Sequence, residues 1–247
     1  MDSGSLLPKP KRNINTRVVL NAMLLGTLAF FTYLMARIIW PYIPYNTDVG
    51  FLQIKQEYID IDVWRIAFFI HVYMSLWVLL AGFTQFSKWI RAKAPKWHRR
   101  LGYFYAIDVV LITGPAGFIM GIYANGGITS KVSFVVLAIG WVAFTVMAVK
   151  KAKEGDYDAH RDFMIRSYAL TLSALTLRAW KWGINNSFDF PPMDVYRAVA
   201  WLGWVPNILL AEFIIWRYKY QARQIRMRAR EQARMTQQPL AAPADQL

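Results

Sequence analysis

The sequence contains no cysteine. That absence excludes disulfide frameworks, thiolate zinc sites, iron–sulfur clusters and cysteine nucleophiles together. Histidine is scarce as well: with three in 247 residues, any imidazole chemistry must use His71, His98 or His160. Acid is in short supply, 15 Asp and Glu against 29 Lys and Arg, for a formal net charge of +14. No Walker loop, serine nucleophile elbow or zincin helix occurs in the sequence, which counts against a conventional ATPase or hydrolase.

Apolar residues fill the chain instead, at 56% hydrophobic and 16% aromatic. A soluble domain of this length carries shorter apolar runs and more charge. The positive charge alone would admit nucleic acid as a partner, but its distribution argues otherwise. Lys and Arg gather in the N-terminal tail, two interior loops and the C-terminal tail, the pattern of the positive-inside rule. No nucleic acid is expected. The expected partners are a bilayer with anionic headgroups at its cytoplasmic face and, further, other membrane subunits.

Taken in order, residues 1–16 are a polar, basic cytoplasmic tail, and the apolar run from Val18 to Trp40 is too long for a signal-peptide core, so it reads as a retained span. Pro41 to Asp62 has acids and few cations and reads as extracytoplasmic, with a short interfacial helix around Phe51–Tyr58. Spans are expected over about 64–86, 101–124, 132–149, 167–184 and 195–216. Gly114-Pro115 predicts a kink in the third, and Gly117-x-x-x-Gly121 a close helix contact. KWIRAKAPKWHRR and the Lys150, Lys151, Lys153 cluster fall on the cytoplasmic side. The fold class is therefore all-α: a polytopic bundle of six transmembrane helices over residues 17–219, both termini cytoplasmic, with a basic cytoplasmic helix and disordered tail over 220–247. A five- or seven-span arrangement would put a basic block outside.

The hairpins of helices two–three and four–five share a pattern, a basic loop followed by His-Arg and a tyrosine: His98-Arg99 then Tyr105, and His160-Arg161 then Tyr168. A direct repeat and two ordinary loop-to-helix junctions both fit. On helix two, His71, Ser75, Val78, Gly82 and Gln85 share a face, as do Ser167, Thr171, Ala174 and Arg178 on helix five. Small and hydroxylated stripes of this kind ordinarily mark helix–helix contact. By helical rise Arg178 lies about 17 Å from the cytoplasmic end and His71 about 9 Å from the outer end, comparable heights in a core roughly 30 Å thick. An outer polar layer (His71, Arg178) and an inner one (Gln85, Asp108, Glu212, Arg166, His98, His160) are expected.

Several chemistries suit these residues. His98 and His160 could ligate haem b or a metal ion if their helices are neighbours. His71 could be an axial ligand, a proton carrier or a hydrogen-bonded structural group. Arg178 within a span needs a counter-charge, either from protein or from an anionic ligand such as a carboxylate or phosphate. Asp108 could pair with Arg99, Arg166 or Arg178, and Arg161 completes the second His-Arg pair.

HVYMSLWVLLAGFTQF with His71, Gly82 and Gln85, HRRLGYFY with His98, Arg99, Gly102 and Tyr105, and HRDFMIRSYALTLSALTLR with His160, Arg161, Arg166, Tyr168 and Arg178 carry a resemblance. The chain resembles the bacterial family of predicted membrane proteins known as domain of unknown function 2306. The resemblance implies a multi-pass protein of the bacterial cytoplasmic (inner) membrane and supplies no activity. Three functions then stand as expectations: a buried His/Arg/Asp site binding haem, a metal for electron transfer or a small anion; a non-catalytic assembly or interaction subunit of a membrane complex; and a small-molecule or lipid transporter.

Overall fold

A computed structural model describes residues 14–237, helical throughout with no strand among them. The expected N-terminal tail up to residue 13 and the C-terminal tail from 238 lie outside the described residues. The chain divides into two compact units, residues 1–108 and 109–247.

In the first unit, α1 (Ile14–Ile39) gives way to a 3-10 turn at Trp40–Tyr42, where Pro41 has no N–H to continue the helical ladder. The polar connection after it carries a 3-10 turn at Gly50–Ile54 and the short α2 (Gln56–Ile59), in place of the single interfacial helix expected there. Aromatic packing holds this connection on the N-terminal half of α3 (Asp62–Gln85). Tyr42 meets Phe68 edge-on at 5.3 Å, Tyr45 stacks on Phe69 at 4.1 Å, and the Tyr73 hydroxyl donates to the Tyr42 carbonyl at 2.7 Å. Such offset and edge-to-face pairs add to the burial of the rings themselves. Lys55, only 1% exposed, lies under this cover with its ammonium 4.5 Å from the Tyr58 ring centre, a cation–π placement. The short, basic α4 (Lys88–Lys93) starts at a Ser87 cap whose Oγ accepts from the Ile90 amide, and α5 (Pro95–Ile107) follows with proline in its first turn.

A π turn occupies Asp108–Thr113, immediately before α6 (Gly114–Ile122). Its position has a local cause. Pro115 cannot donate to the carbonyl four residues back, and a widened turn absorbs the break. Gly114 is required by space: a Cβ there would lie 2.2 Å from the Val109 carbonyl oxygen and 2.5 Å from Val142 of α7 (Gly127–Lys153). At Gly121 it would come within 3.2 Å of the Phe134 backbone. The close approach to α7 thus runs through Gly114 and Gly121.

Four further helices complete the second unit: α8 (Tyr157–Thr171), α9 (Ser173–Ser187), α10 (Pro192–Leu202) and α11 (Val205–Gln237). Asp156 caps α8 by accepting from the Ala159 amide at 3.0 Å. The stretch expected as one fifth span is two helices that meet at Leu172. Hydroxyls line the break: Thr171 donates to the Ser167 carbonyl and Thr176 to the Leu172 carbonyl, and back-bonding of this kind bends helices. Among the described residues, four helical stretches are long and apolar enough to cross a membrane: Asp62–Gln85, Pro95–Ile122, Gly127–Lys153 and Pro192–Arg234. The expected α5–α6 kink and the boundary of the last stretch at Gly203–Trp204 both lie inside such spans.

Candidate functional site

In the first unit the polar residues of interest sit where α3 delivers its last turn to α5. The expected α3 face is inward: Val78, Gly82 and Gln85 are buried, while Ser75 and His71 are half-buried. With its amide nitrogen toward His98, Gln85 donates to the His98 carbonyl and to Nδ1, both at 3.2 Å, and its oxygen accepts from the Gly102 amide at 3.2 Å. Nδ1 is then an acceptor, so a neutral His98 carries its proton on Nε2. Gly102 makes the approach possible, because a Cβ there would lie 2.9 Å from the end of the Gln85 side chain, at its amide atom. Tyr105 is fully buried one turn beyond, and Asp108, 1% exposed, opens the π turn. Arg99 is exposed, as is Arg100, whose guanidinium lies 5.7 Å from the Trp97 ring centre.

In the second unit the HRDFMIR segment is a junction of three helices. His160 Nδ1–H donates to the Ala148 carbonyl of α7 at 2.8 Å; a carbonyl can only accept, so the neutral ring leaves Nε2 as an acceptor. Arg161 pairs with Asp158 at 3.0 Å and with Asp162 at 2.9 Å, and its guanidinium lies 5.1 Å from the Tyr218 ring centre on α11. The buried Asp162 also receives Lys219 of α11 at 3.2 Å. Arg166 makes a two-pronged pair with Glu212 of α11, Nε at 2.5 Å and the second nitrogen at 2.9 Å, the planar geometry that favours arginine over lysine. The Arg166 partner among the candidates weighed from sequence was Asp108; in the structure it is Glu212.

Hydroxyls and indoles take over deeper in this unit. Thr145 and Ser167 share a hydrogen bond at 2.7 Å, Trp141 Nε1 donates to Thr171 at 3.0 Å, and Trp204 Nε1 donates to Ser133, which donates to the Ala200 carbonyl. Asn207 donates to the Ala169 carbonyl and to Thr176. Measured in membrane proteins, bonds of this sort contribute on average about 0.6 kcal/mol each. Tyr168 is buried on the same helix. The expected α8–α9 stripe is inward through Ser167 and Thr171 and then leaves that face, since the break at Leu172 shifts the register. Arg178 is exposed, its guanidinium turned back onto the Ala174 carbonyl at 2.5 Å. No residue of α9 is buried.

Sequence reasoning missed Asp162, Lys219 and Tyr218, along with the Glu212 partnership. The signal that could have found them is charge spacing: Lys219 and Glu212 lie seven residues apart on α11, as Asp162 and Arg166 lie four apart on α8. Among the described residues no three His, Asp or Glu side chains converge as a metal site.

Apolar helices long enough to span a bilayer, carrying polar groups satisfied from helix to helix, define a multi-pass helical membrane protein. Over residues 68–215, more than half of the chain, the sequence matches the family model described as "Predicted membrane protein (DUF2306)". The chain belongs to that family. No curated protein and no solved structure matches it.

Proposed function

We propose that this protein is a non-catalytic interaction subunit of the bacterial cytoplasmic membrane, built as a six-helix bundle with both termini on the cytoplasmic side. The observation that carries the reading is α9. This 15-residue helix has no buried residue, yet it displays Arg178, Lys181, Asn185 and Asn186 beside Trp180 and Trp182. A face of that polarity is costly against lipid tails and suits a protein surface that covers it. The second unit's own interior supports the same reading, because Arg166, Asp162, Thr145, Ser167 and Asn207 are each spent on helix–helix bonds. Native-gel migration of gently solubilised membranes tests it. The wild type should run in an assembly larger than its own 28.6 kDa, and R178L/K181L should release it as a smaller species. A wild type that migrates alone would end this reading.

His160 favours a second reading. Holding Nδ1–H on a backbone carbonyl while Nε2 stays available is how proteins orient histidines for iron or another metal. A haem-binding, electron-transferring protein would show a Soret band after purification, lost in His160→Ala. A colourless, folded preparation sinks it.

A further inference from the structure

The strongest charged surface not used above is the cytoplasmic extension of α11. The helix runs without interruption from Val205 to Gln237. Past the aromatic trio Trp216, Tyr218 and Tyr220 it carries Arg223, Arg226, Arg230 and Arg234, all exposed. Their 3-4-4 spacing sets the four guanidinium groups within an arc of roughly 80° at about 100° per residue, along about 17 Å of helix. Arg217 and Arg228 point to the far side, and Glu231, the extension's sole acid among the described residues, lies about 100° round from the stripe. Among the described residues no ion pair involves any of the four; the nearest pairing on α11 is Lys219 with Asp162.

We infer that this stripe is a docking surface for an acidic helix of a partner protein; the inference rests on the interaction reading above. Three bilayer-scale facts favour a protein over lipid. Trp and Tyr mark the membrane interface. The headgroup layer beyond the hydrocarbon is only about 5–8 Å thick. On a helix that continues along the bilayer normal, Arg230 and Arg234 then stand about 15 and 21 Å past Tyr220, outside the reach of headgroups. A second copy of the chain presents the same cations and is repelled. The 3-4-4 register is that of residues on one side of a helix, so carboxylates at matching spacing on a partner helix meet each guanidinium in turn.

The test uses the full chain in nanodiscs of neutral phosphatidylcholine. The probe is a helical peptide with four glutamates at 3-4-4 spacing, compared with a peptide of identical composition whose glutamates are spread around the helix. The register-matched peptide should bind at least tenfold more tightly and protect cleavage after Arg223, Arg226, Arg230 and Arg234 from trypsin. Replacement of all four by glutamine should abolish that preference, and circular dichroism of the variant shows whether the helix survives. Equal binding of the two peptides, or unchanged binding by a helical variant, overturns the inference. So does tryptic protection by anionic phosphatidylglycerol nanodiscs without peptide, which would assign the stripe to lipid, or tighter stripe-dependent binding of duplex RNA. Failure here is separable from failure of the interaction reading: if wild type and glutamine variant migrate in the same larger assembly, the subunit has a partner and the stripe is not what holds it.

Discussion

The two His-Arg junctions carry the same dipeptide and use it differently. At His98-Arg99 the histidine is clasped by Gln85 and the arginine is exposed; at His160-Arg161 the histidine bonds the neighbouring helix's backbone and the arginine is paired and stacked. The cause lies in the flanking loops. KWIRAKAPKWHRR has no acid, so nothing in it can draw Arg99 inward. GDYDAHRDFMIR supplies Asp156, Asp158 and Asp162, and one of them caps the helix while two hold Arg161. The lesson is that loop acids decide whether a basic junction is folded into the protein or left exposed.

The largest break in that comparison should come from Asp162→Ala. Its carboxylate is only 5% exposed and takes both the part-exposed Arg161 and the exposed Lys219, so its removal deletes two charge-assisted bonds, at a cost of about 3 kcal/mol. Unfolding of the purified protein in mixed micelles measures it. Next comes the Arg166–Glu212 pair, where charge-assisted bonds contribute roughly 2 kcal/mol. Arg166→Gln should lose about that much, and Arg166→Gln combined with Glu212→Gln should lose less than the sum of the two singles.

At the first junction, Gly102→Ala places a methyl 2.9 Å from the amide end of the Gln85 side chain. The clashing atom is the end of a flexible side chain, so the cost stays near 1 kcal/mol, but the clasp should open and the His98 ring resonances should move. Unchanged His98 signals would mean that Gln85 does not hold the ring. The direct contrast is Arg161→Gln against Arg99→Gln: about 1 kcal/mol for the first and within ~0.5 kcal/mol for the second. Equal losses would erase the distinction between the junctions.

The smallest effect is one of pH. The hydrogen bond from Lys151 holds the Glu154 carboxyl below its ordinary 4.5. A group whose folded pKa is depressed contributes stability fully present above its unfolded value and lost as pH falls through the folded one. Hydrogen exchange at the α7–α8 turn should therefore quicken as pH drops below 4.5 in the wild type, after correction for intrinsic rates, and Glu154→Gln should be insensitive there. The acid-free first loop should show no such acid limb.

Much of this was legible in the sequence because membrane helices are constrained so tightly. Apolar length and the Gly114-Pro115 pair each act within a few residues, so the helical class, the neighbourhood of the apolar stretches and a break close to Gly114-Pro115 could be read directly, while the helix ends moved by several residues. The Gln85 face was legible for the same reason, as a four-three stripe on one helix. The break at Leu172 was less so: three hydroxyl back-bonds, from Thr171 and twice from Thr176, outweigh an otherwise continuous pattern, and the register of Arg178 changes with it.

What the sequence determined by itself was the medium and the local shape: no thiol chemistry, few imidazoles, apolar runs of membrane length and cations gathered mostly between and beyond them. Tertiary structure alone decided the partnerships. Arg166 and Glu212 are 46 residues apart, and no local rule favours that pair over Asp108. Only the packing of α8 on α11 brings the two within bonding distance. Likewise His160 and Ala148 meet because the α7–α8 hairpin closes, which makes one His-Arg pair a brace between helices while the other stays at the surface with its arginine outward.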